Sequence, residues 1–245
     1  MRIPRIYTPQ ALVAGQSLEL EPAPSRHLLT VLRLKPGAAL LLFDGSGSEF
    51  VAQLESEKGR HARVQVGAEH IARSESPLRV TLAQGISRGE RMDFTLQKAV
   101  ELGVAEIMPL LVERSVVRLD AGQAARKRAH WQQVVIGACE QSGRVRVPMV
   151  HAPLSLCDFM AQHPLSGHGL LLDPDAALSM KNLPAPESNQ ILLLVGPEGG
   201  LNEAETAAAR QAGFTAVSLG PRVLRTETAA LVALSLLQAR WGDLA

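Results

Sequence analysis

The chain has 245 residues, 46% of them hydrophobic and 20% charged, with a net charge of +1. That length is enough to bury a real core in one large or two modest domains, and the balance excludes a disordered chain. A net charge so near zero says nothing of a nucleic-acid partner, which has to be sought in where the charges sit.

The opening residues, MRIPRIYTPQ, hold no apolar leader run. No later segment approaches the roughly 18 apolar residues of a membrane span, so the expected location is the cytoplasm, with no membrane partner. Residues 1–72 read as mostly β. Phe50, Ala52 and Leu54 alternate with polar residues, as do Ala62, Val64 and Val66. Asp44-Gly45-Ser46-Gly47 and Lys58-Gly59 stand between these runs as turn signals. One helical piece, from about Ser25 to Leu34, carries Leu28, Leu29, Val31 and Leu32 and is closed by Pro36-Gly37. Short strands joined by tight turns predict a small barrel.

The texture changes at Arg73-Ser74-Glu75-Ser76-Pro77, which sets a first domain over 1–72 and a second over 73–245. The second alternates strand and helix. A strand is expected over Leu78–Ala83, a helix over Asp93–Leu102 ended by Gly103, a strand over Glu106–Val112 and a long helix over Ala124–Ser142. Between Glu113 and Arg146 seven bases face only Glu113, Asp120 and Glu140, and from Asp173 onward the balance turns acidic. Cys139 falls in the apolar part of the long helix, where buried free thiols are common. Neither it nor Cys157 has a CxxC partner or histidines at zinc-ligand spacing, so no metal is expected and a reduced compartment fits. Strands follow at Gly169–Leu172, Ile191–Val195 and Ala216–Leu219. Near-continuous apolar strands alternating with helices predict a buried, largely parallel sheet.

In such a sheet ligands bind beyond the carboxyl ends of the strands, and two loops stand there. The first is Gly196-Pro197-Glu198-Gly199-Gly200-Leu201, then Asn202 as N-cap with Glu205 completing a capping box. Its glycines let a ligand approach bare backbone. It is neither a Walker A loop nor a GxGxxG fingerprint, and Glu198 argues against phosphate and for a cationic or hydroxyl-rich ligand. A plain strand-to-helix turn is the alternative. The second is Gly220-Pro221-Arg222-Val223-Leu224-Arg225, with Thr226 expected to cap a helix over Glu227–Ala239. That helix is apolar nearly all round, as intramolecular core or as a subunit interface.

LLVGPEGGLNEAE and SLGPRVLRTETAALVAL resemble the paired signatures of the ribosomal RNA small-subunit methyltransferase E family, within the knotted (SPOUT) superfamily. HLLTVLRLKPG, LFDGSGSEF, QKAVELGVAEIMPL, ERSVV and ACEQSGRVRVP agree with it in order and spacing, so the resemblance spans nearly the whole chain. It implies an α/β fold with a PUA-like RNA-binding β-barrel and a C-terminal domain whose trefoil knot holds S-adenosylmethionine. It also implies a homodimer, and methylation at N3 of a uridine in 16S rRNA of the small ribosomal subunit. The knot rests on the resemblance alone, since chains ordinarily avoid threading loops.

On that reading Leu172, Gly196, Pro197, Glu198, Gly199, Gly200, Leu219, Gly220, Val223, Leu224, Arg225 and Thr228 are the cofactor-binding residues. Leu172 and Leu224 would flank the adenine, with plain core as the alternative for Leu172. Arg225 would sit beside the uracil carbonyls or a target phosphate; the alternative is a salt bridge to Glu227 or Glu198. Glu198 would hydrogen-bond cofactor or target, or act as base if its pKa is raised. The histidines, His27, His61, His70, His130, His151, His163 and His168, are scattered and suggest no base. Arg5, Arg33, Arg114, Arg118, Arg144 and Arg146 are the expected RNA contacts, against the alternative of a solvated face. With aromatics at 3%, shape and phosphates rather than base stacking would supply the affinity. Other readings are a non-catalytic RNA-binding assembly factor, a related enzyme acting on tRNA or a 2′-hydroxyl, and a nucleotide-using oxidoreductase, which the missing GxGxxG disfavours.

Overall fold

The computed structural model describes residues 3–58, 61–71, 74–165 and 167–244. Gly59 of the second turn signal, Arg73 of the texture change and the 72/73 boundary lie outside the described residues. The chain divides into two compact units, one of residues 1–75 with 136–147 and the other of 76–135 with 148–245.

The first unit is built on a five-stranded sheet. Its strands are β1 (Arg5–Tyr7), β2 (Ser17–Glu19), β3 (Ala39–Phe43), β4 (Glu49–Lys58) and β5 (His61–His70), in the order β1-β3-β4-β5-β2. Only β1 and β3 run parallel; the other pairings are antiparallel. The alternation in the sequence falls on one face. Leu40, Leu42, Ala52, Leu54, Ala62, Val64 and Val66 are buried with Ile6, Leu20 and Leu28 in one core. The helical piece starts earlier than expected, as α1 (Pro22–Arg26), because proline is tolerated in a first turn whose N–H groups need no helical partner. It continues as a π-helical turn over His27–Val31 and stops where Arg33 takes φ 54°.

Two of the expected RNA contacts are spent inside this unit. Arg5 forms an ion pair with Glu49, their side chains 8% and 6% exposed, and donates to the Arg144 carbonyl at 3.1 Å. Arg144 meets Glu75 at 2.7 Å, and Glu75 Oε1 also accepts from the backbone N–H groups of Val145 and Arg146. Arg5 and Arg144 are therefore structural arginines here, because a buried guanidinium stays charged and a carboxylate beside it offsets its desolvation. Replacing Glu49 with alanine strips Arg5 of its buried partner, and urea unfolding should show a loss of about 3 kcal/mol. Cys139 is buried and free, and burial pushes its thiol up to about 12. Alkylation of the folded chain at pH 8 should label the exposed Cys157 and leave Cys139 intact, read by peptide mass.

The second unit holds a seven-stranded sheet. It comprises β6 (Arg79–Gly85), β7 (Val104–Leu111), β8 (Met149–Val150), β9 (Leu154–Ser155), β10 (His168–Leu172), β11 (Gln190–Val195) and β12 (Thr215–Val217). The order is β12-β10-β11-β6-β7-β8 with β9 also on β7, and every pairing is parallel. The helices are α2 (Glu90–Glu101), α3 (Ala121–Ser142), α4 (Leu156–Gln162), α5 (Glu203–Gln211) and α6 (Thr226–Trp241); α3 passes on into the first unit. Leu156, Phe159, Ala209 and Phe214 cover one face over Ala83, Leu110, Leu171 and Leu194. On α6, Ala230, Ala233, Leu234 and Leu237 are buried at helical spacing, against α2, β6 and β11. Its other face, with Leu231, Val232 and Leu236, stays half-exposed. Among the described residues no helix is long and apolar enough to cross a membrane.

Candidate active site

Beyond the carboxyl ends of β10, β11 and β12 lies a cavity of about 630 Å³, a size that suits a nucleoside-sized ligand. Its walls are the three segments that leave those strands: Leu171–Asp175, Val195–Leu201 and Val217 with Leu219, Gly220 and 222–225, closed by the first turn of α6. Apolar groups (Leu171, Leu172, Val195, Leu219, Val223, Leu224) share it with the carboxylates Asp173, Asp175, Glu198 and Glu227 and the guanidinium groups of Arg91, Arg222 and Arg225. Such a lining has flat apolar walls for a ring, bare backbone for its edges and carboxylates for a cation.

The first loop is gripped from two sides. A Cβ on Gly85, the last residue of β6, would stand 2.5 Å from Pro197 N, and one on Gly199 would stand 2.9 Å from the Arg114 Cβ and carbonyl oxygen. Neither approach tolerates a side chain. Asn202 then starts α5, accepting from the Glu205 N–H at 2.7 Å while Glu205 accepts from the Asn202 N–H at 2.9 Å, the expected capping box.

Glu198 faces α2. Its Oε1 accepts from the Arg88 N–H and from the Arg91 guanidinium, both at 3.1 Å. Gly89, the N-cap of α2, offers no side chain, and the carboxylate of a distant loop stands at this positive end of the helix, held by the residue before the cap and by the Arg91 side chain. Burial raises the Glu198 pKa, but hydrogen bonds from its own N–H, from Arg88 and from Arg91 outweigh it and leave the pKa below the ordinary carboxylate value. The condition attached to Glu198 as base, a raised pKa, is not met.

A family model described as "RNA methyltransferase domain" matches residues 74–238, and one described as "RNA methyltransferase PUA domain" matches 23–67. The ribosomal RNA small subunit methyltransferase E of Buchnera aphidicola (subsp. Schizaphis graminum) is 33% identical over 99% of this chain and 98% of its own length. This chain belongs to the ribosomal RNA small subunit methyltransferase E family. Among solved structures, the enzyme of that name from Neisseria gonorrhoeae bound to S-adenosyl methionine is 43% identical, with a TM-score of 0.92 over all of both chains. A putative methyltransferase from Legionella pneumophila in complex with the same cofactor is 42% identical, with a TM-score of 0.94 over all of both chains.

Within this family member, eleven of the twelve residues expected at the cofactor line the one cavity: Leu172, Gly196, Pro197, Glu198, Gly199, Gly200, Leu219, Gly220, Val223, Leu224 and Arg225. Thr228 does not. The helix starts at Thr226 with Arg225 as N-cap, so two residues on, about 200° around the axis, Thr228 points to solvent and Ala229 takes the inner position. Thr226 is likewise not the cap. Its hydroxyl is drawn off to Gly196 and Gln84. Arg225 makes no ion pair among the described residues, and Glu198 pairs with Arg91 instead. None of the histidines lines the cavity. Arg33, Arg114, Arg118 and Arg146 are exposed, and Arg114 donates weakly to the Gly199 and Leu201 carbonyls at 3.4 Å. Sequence reasoning missed Arg91 and Asp173, and gave Thr226 only a capping role; the pattern Ser87-Arg88-Gly89-Glu90-Arg91 after a strand was the available signal for the first. Among the described residues no cluster of His, Cys, Asp and Glu suits a metal ion.

Proposed function

We propose that this chain binds S-adenosylmethionine in the cavity beyond β10, β11 and β12 and methylates N3 of a uridine in 16S rRNA of the small ribosomal subunit, in the cytoplasm and as a homodimer. The observation that carries the reading is the meeting of the two glycine-bearing loops in one cavity that mixes apolar walls, bare backbone and carboxylates. When bound, the cofactor supplies a methyl group on a sulfonium cation. Leu172 and Leu224 offer apolar contact for the adenine, and Asp173, Asp175 or Glu227 offer negative charge for its cationic groups. Glu198, turned to Arg88 and Arg91, holds the loop rather than the ligand.

Uridine N3 has to lose its proton to accept a methyl group. Arg225 lines the cavity, exposed and free of an ion pair among the described residues, and its role in this proposal is to stabilise the uracil anion that results. The remaining task is to hold the two reactants in line and exclude water. Arg33, Arg114, Arg118 and Arg146 are the arginines left for phosphate contacts. The trefoil knot belongs to the same proposal. It rests on the resemblance to the family alone. The homodimer is supported by the half-exposed Leu231, Val232 and Leu236 on α6.

Calorimetry with S-adenosylmethionine, followed by transfer of a tritiated methyl group to 16S rRNA, to assembled subunits and to tRNA, tests the proposal. Cofactor binding with label on one uridine of 16S rRNA is expected. Absence of binding would sink the enzymatic reading and leave a non-catalytic RNA-binding factor, and label on tRNA or on a ribose would overturn the target.

A further inference from the structure

We propose, building on the cofactor reading above, that Thr226 and Gln84 are positioning residues that lock the two halves of the cavity together. Thr226 Oγ1 donates to the Gly196 carbonyl at 2.6 Å. The same oxygen accepts from Gln84 Nε2 at 2.9 Å, and that amide nitrogen donates again to the Gly85 carbonyl at 3.0 Å. Gln84 is fully buried and Thr226 is 6% exposed. Among the described residues, no other hydrogen bond joins the loop of residues 196–201 to that of 219–226.

The direction of every bond in this chain is fixed. Both N–H bonds of the Gln84 amide are used, while its Oε1 is buried without a partner. Turning the amide over would bring that oxygen against the Gly85 carbonyl and lose both donations. The threonine must then give its own proton to Gly196, since its lone pair takes the glutamine's. A threonine at the start of a helix ordinarily caps its own backbone; this one reaches a different loop.

The anchor matters because of what lies on either side of it. Gln84 is the last residue but one of β6, which is in register with β11 through Gln84 and Val195, so the first loop leaves a fixed strand pair. The second loop is attached less: Val223 is 84% exposed and Gly220 has φ 124°. Its position over the cavity is set where it enters α6, and that is Thr226. The two loops therefore loosen together when the hydroxyl is lost.

Thr226→Val keeps the shape and removes donor and acceptor. The expected result is binding of S-adenosylmethionine about tenfold weaker, with the KM for RNA unchanged, and faster hydrogen exchange at amides 196, 198–201 and 222–225 of the ligand-free chain. Thr226→Ser should restore most of both. Gln84→Met should match Thr226→Val, and the double variant should be no worse than either alone, as for two members of one unit. Unchanged exchange at both loops, or effects that add, would overturn the proposal. Failure of the wild-type chain to bind the cofactor would defeat the earlier reading instead, and the exchange rates would still decide whether the latch exists.

Discussion

Gly85→Ala should cost at least about a hundredfold in affinity for S-adenosylmethionine. The added methyl group would stand 2.5 Å from Pro197 N and 2.9 Å from the Gly196 carbonyl carbon. These are backbone atoms of the cavity wall, with no flexible side chain to swing aside. Gly85 cannot retreat either, because it ends a central strand held in register with Leu110 of β7 on its far side. The loop must move by a large part of an ångström, and displacements of that size cost about 10²-fold where alignment matters. Gly199→Ala should act in the same direction and less strongly, since its neighbours are the Arg114 Cβ and carbonyl oxygen in an exposed turn at 2.9 Å. Gly137→Ala on α3 meets nothing within 4 Å and should be neutral or stabilising by up to about 1 kcal/mol. Titration calorimetry with thermal unfolding of the three variants separates loss of the site from loss of the fold. Equal binding by Gly85→Ala and wild type would show that the close approach of β6 to the loop is unimportant.

Most of the cavity was legible in the sequence because it is made of short segments that announce themselves. An apolar run ending in Gly196-Pro197-Glu198-Gly199-Gly200 and a capping box three residues apart are local facts, and parallel strands put such turns at one edge of a sheet. The elements expected over 78–142 and 169–239 came out within a few residues for the same reason, since hydrophobic period and helix caps are read from neighbours, while β8, β9 and α4 were not expected. What stayed hidden is long-range. Glu198 meets Arg91 across 107 residues and Gln84 meets Thr226 across 142, and no period or motif encodes which carboxylate finds which guanidinium. The same limit explains Arg5 and Arg144. Each sits in a stretch that reads as basic surface, yet Glu49 and Glu75 come from distant segments to bury them. The end of α3 and the turn after it, residues 136–147, join the first unit although the sequence around them belongs to the second. Thr226 misled for a different reason. Its type suits an N-cap, and only the folded chain offers it the competing acceptor at Gly196.

Arg225→Ala should lower kcat for methyl transfer by about 10²–10³-fold, the usual loss when one group aimed at developing negative charge is removed. Affinity for S-adenosylmethionine should change far less, because the Arg225 side chain is exposed and its part in the helix start is played by the backbone. Arg225→Lys keeps the charge and loses the planar fork, so a partial recovery is expected. The pH profile distinguishes this role from a general base. Glu198 has a folded pKa held below its ordinary value, so it is ionised above the ordinary carboxylate range and loses its hold on Arg88 and Arg91 only as pH falls through that lowered pKa. On the proposed uridine target, a rate that climbs on the alkaline side of neutrality would therefore report the uridine proton, whose departure Arg225 is proposed to assist. In Glu198→Gln that climb should persist unshifted at reduced amplitude. On the same proposal it should move to higher pH in Arg225→Ala, since a uracil anion would have lost the cation beside it. An unshifted climb in Arg225→Ala, measured at saturating cofactor, would place the arginine on a phosphate instead and leave the anion to the surrounding backbone N–H groups.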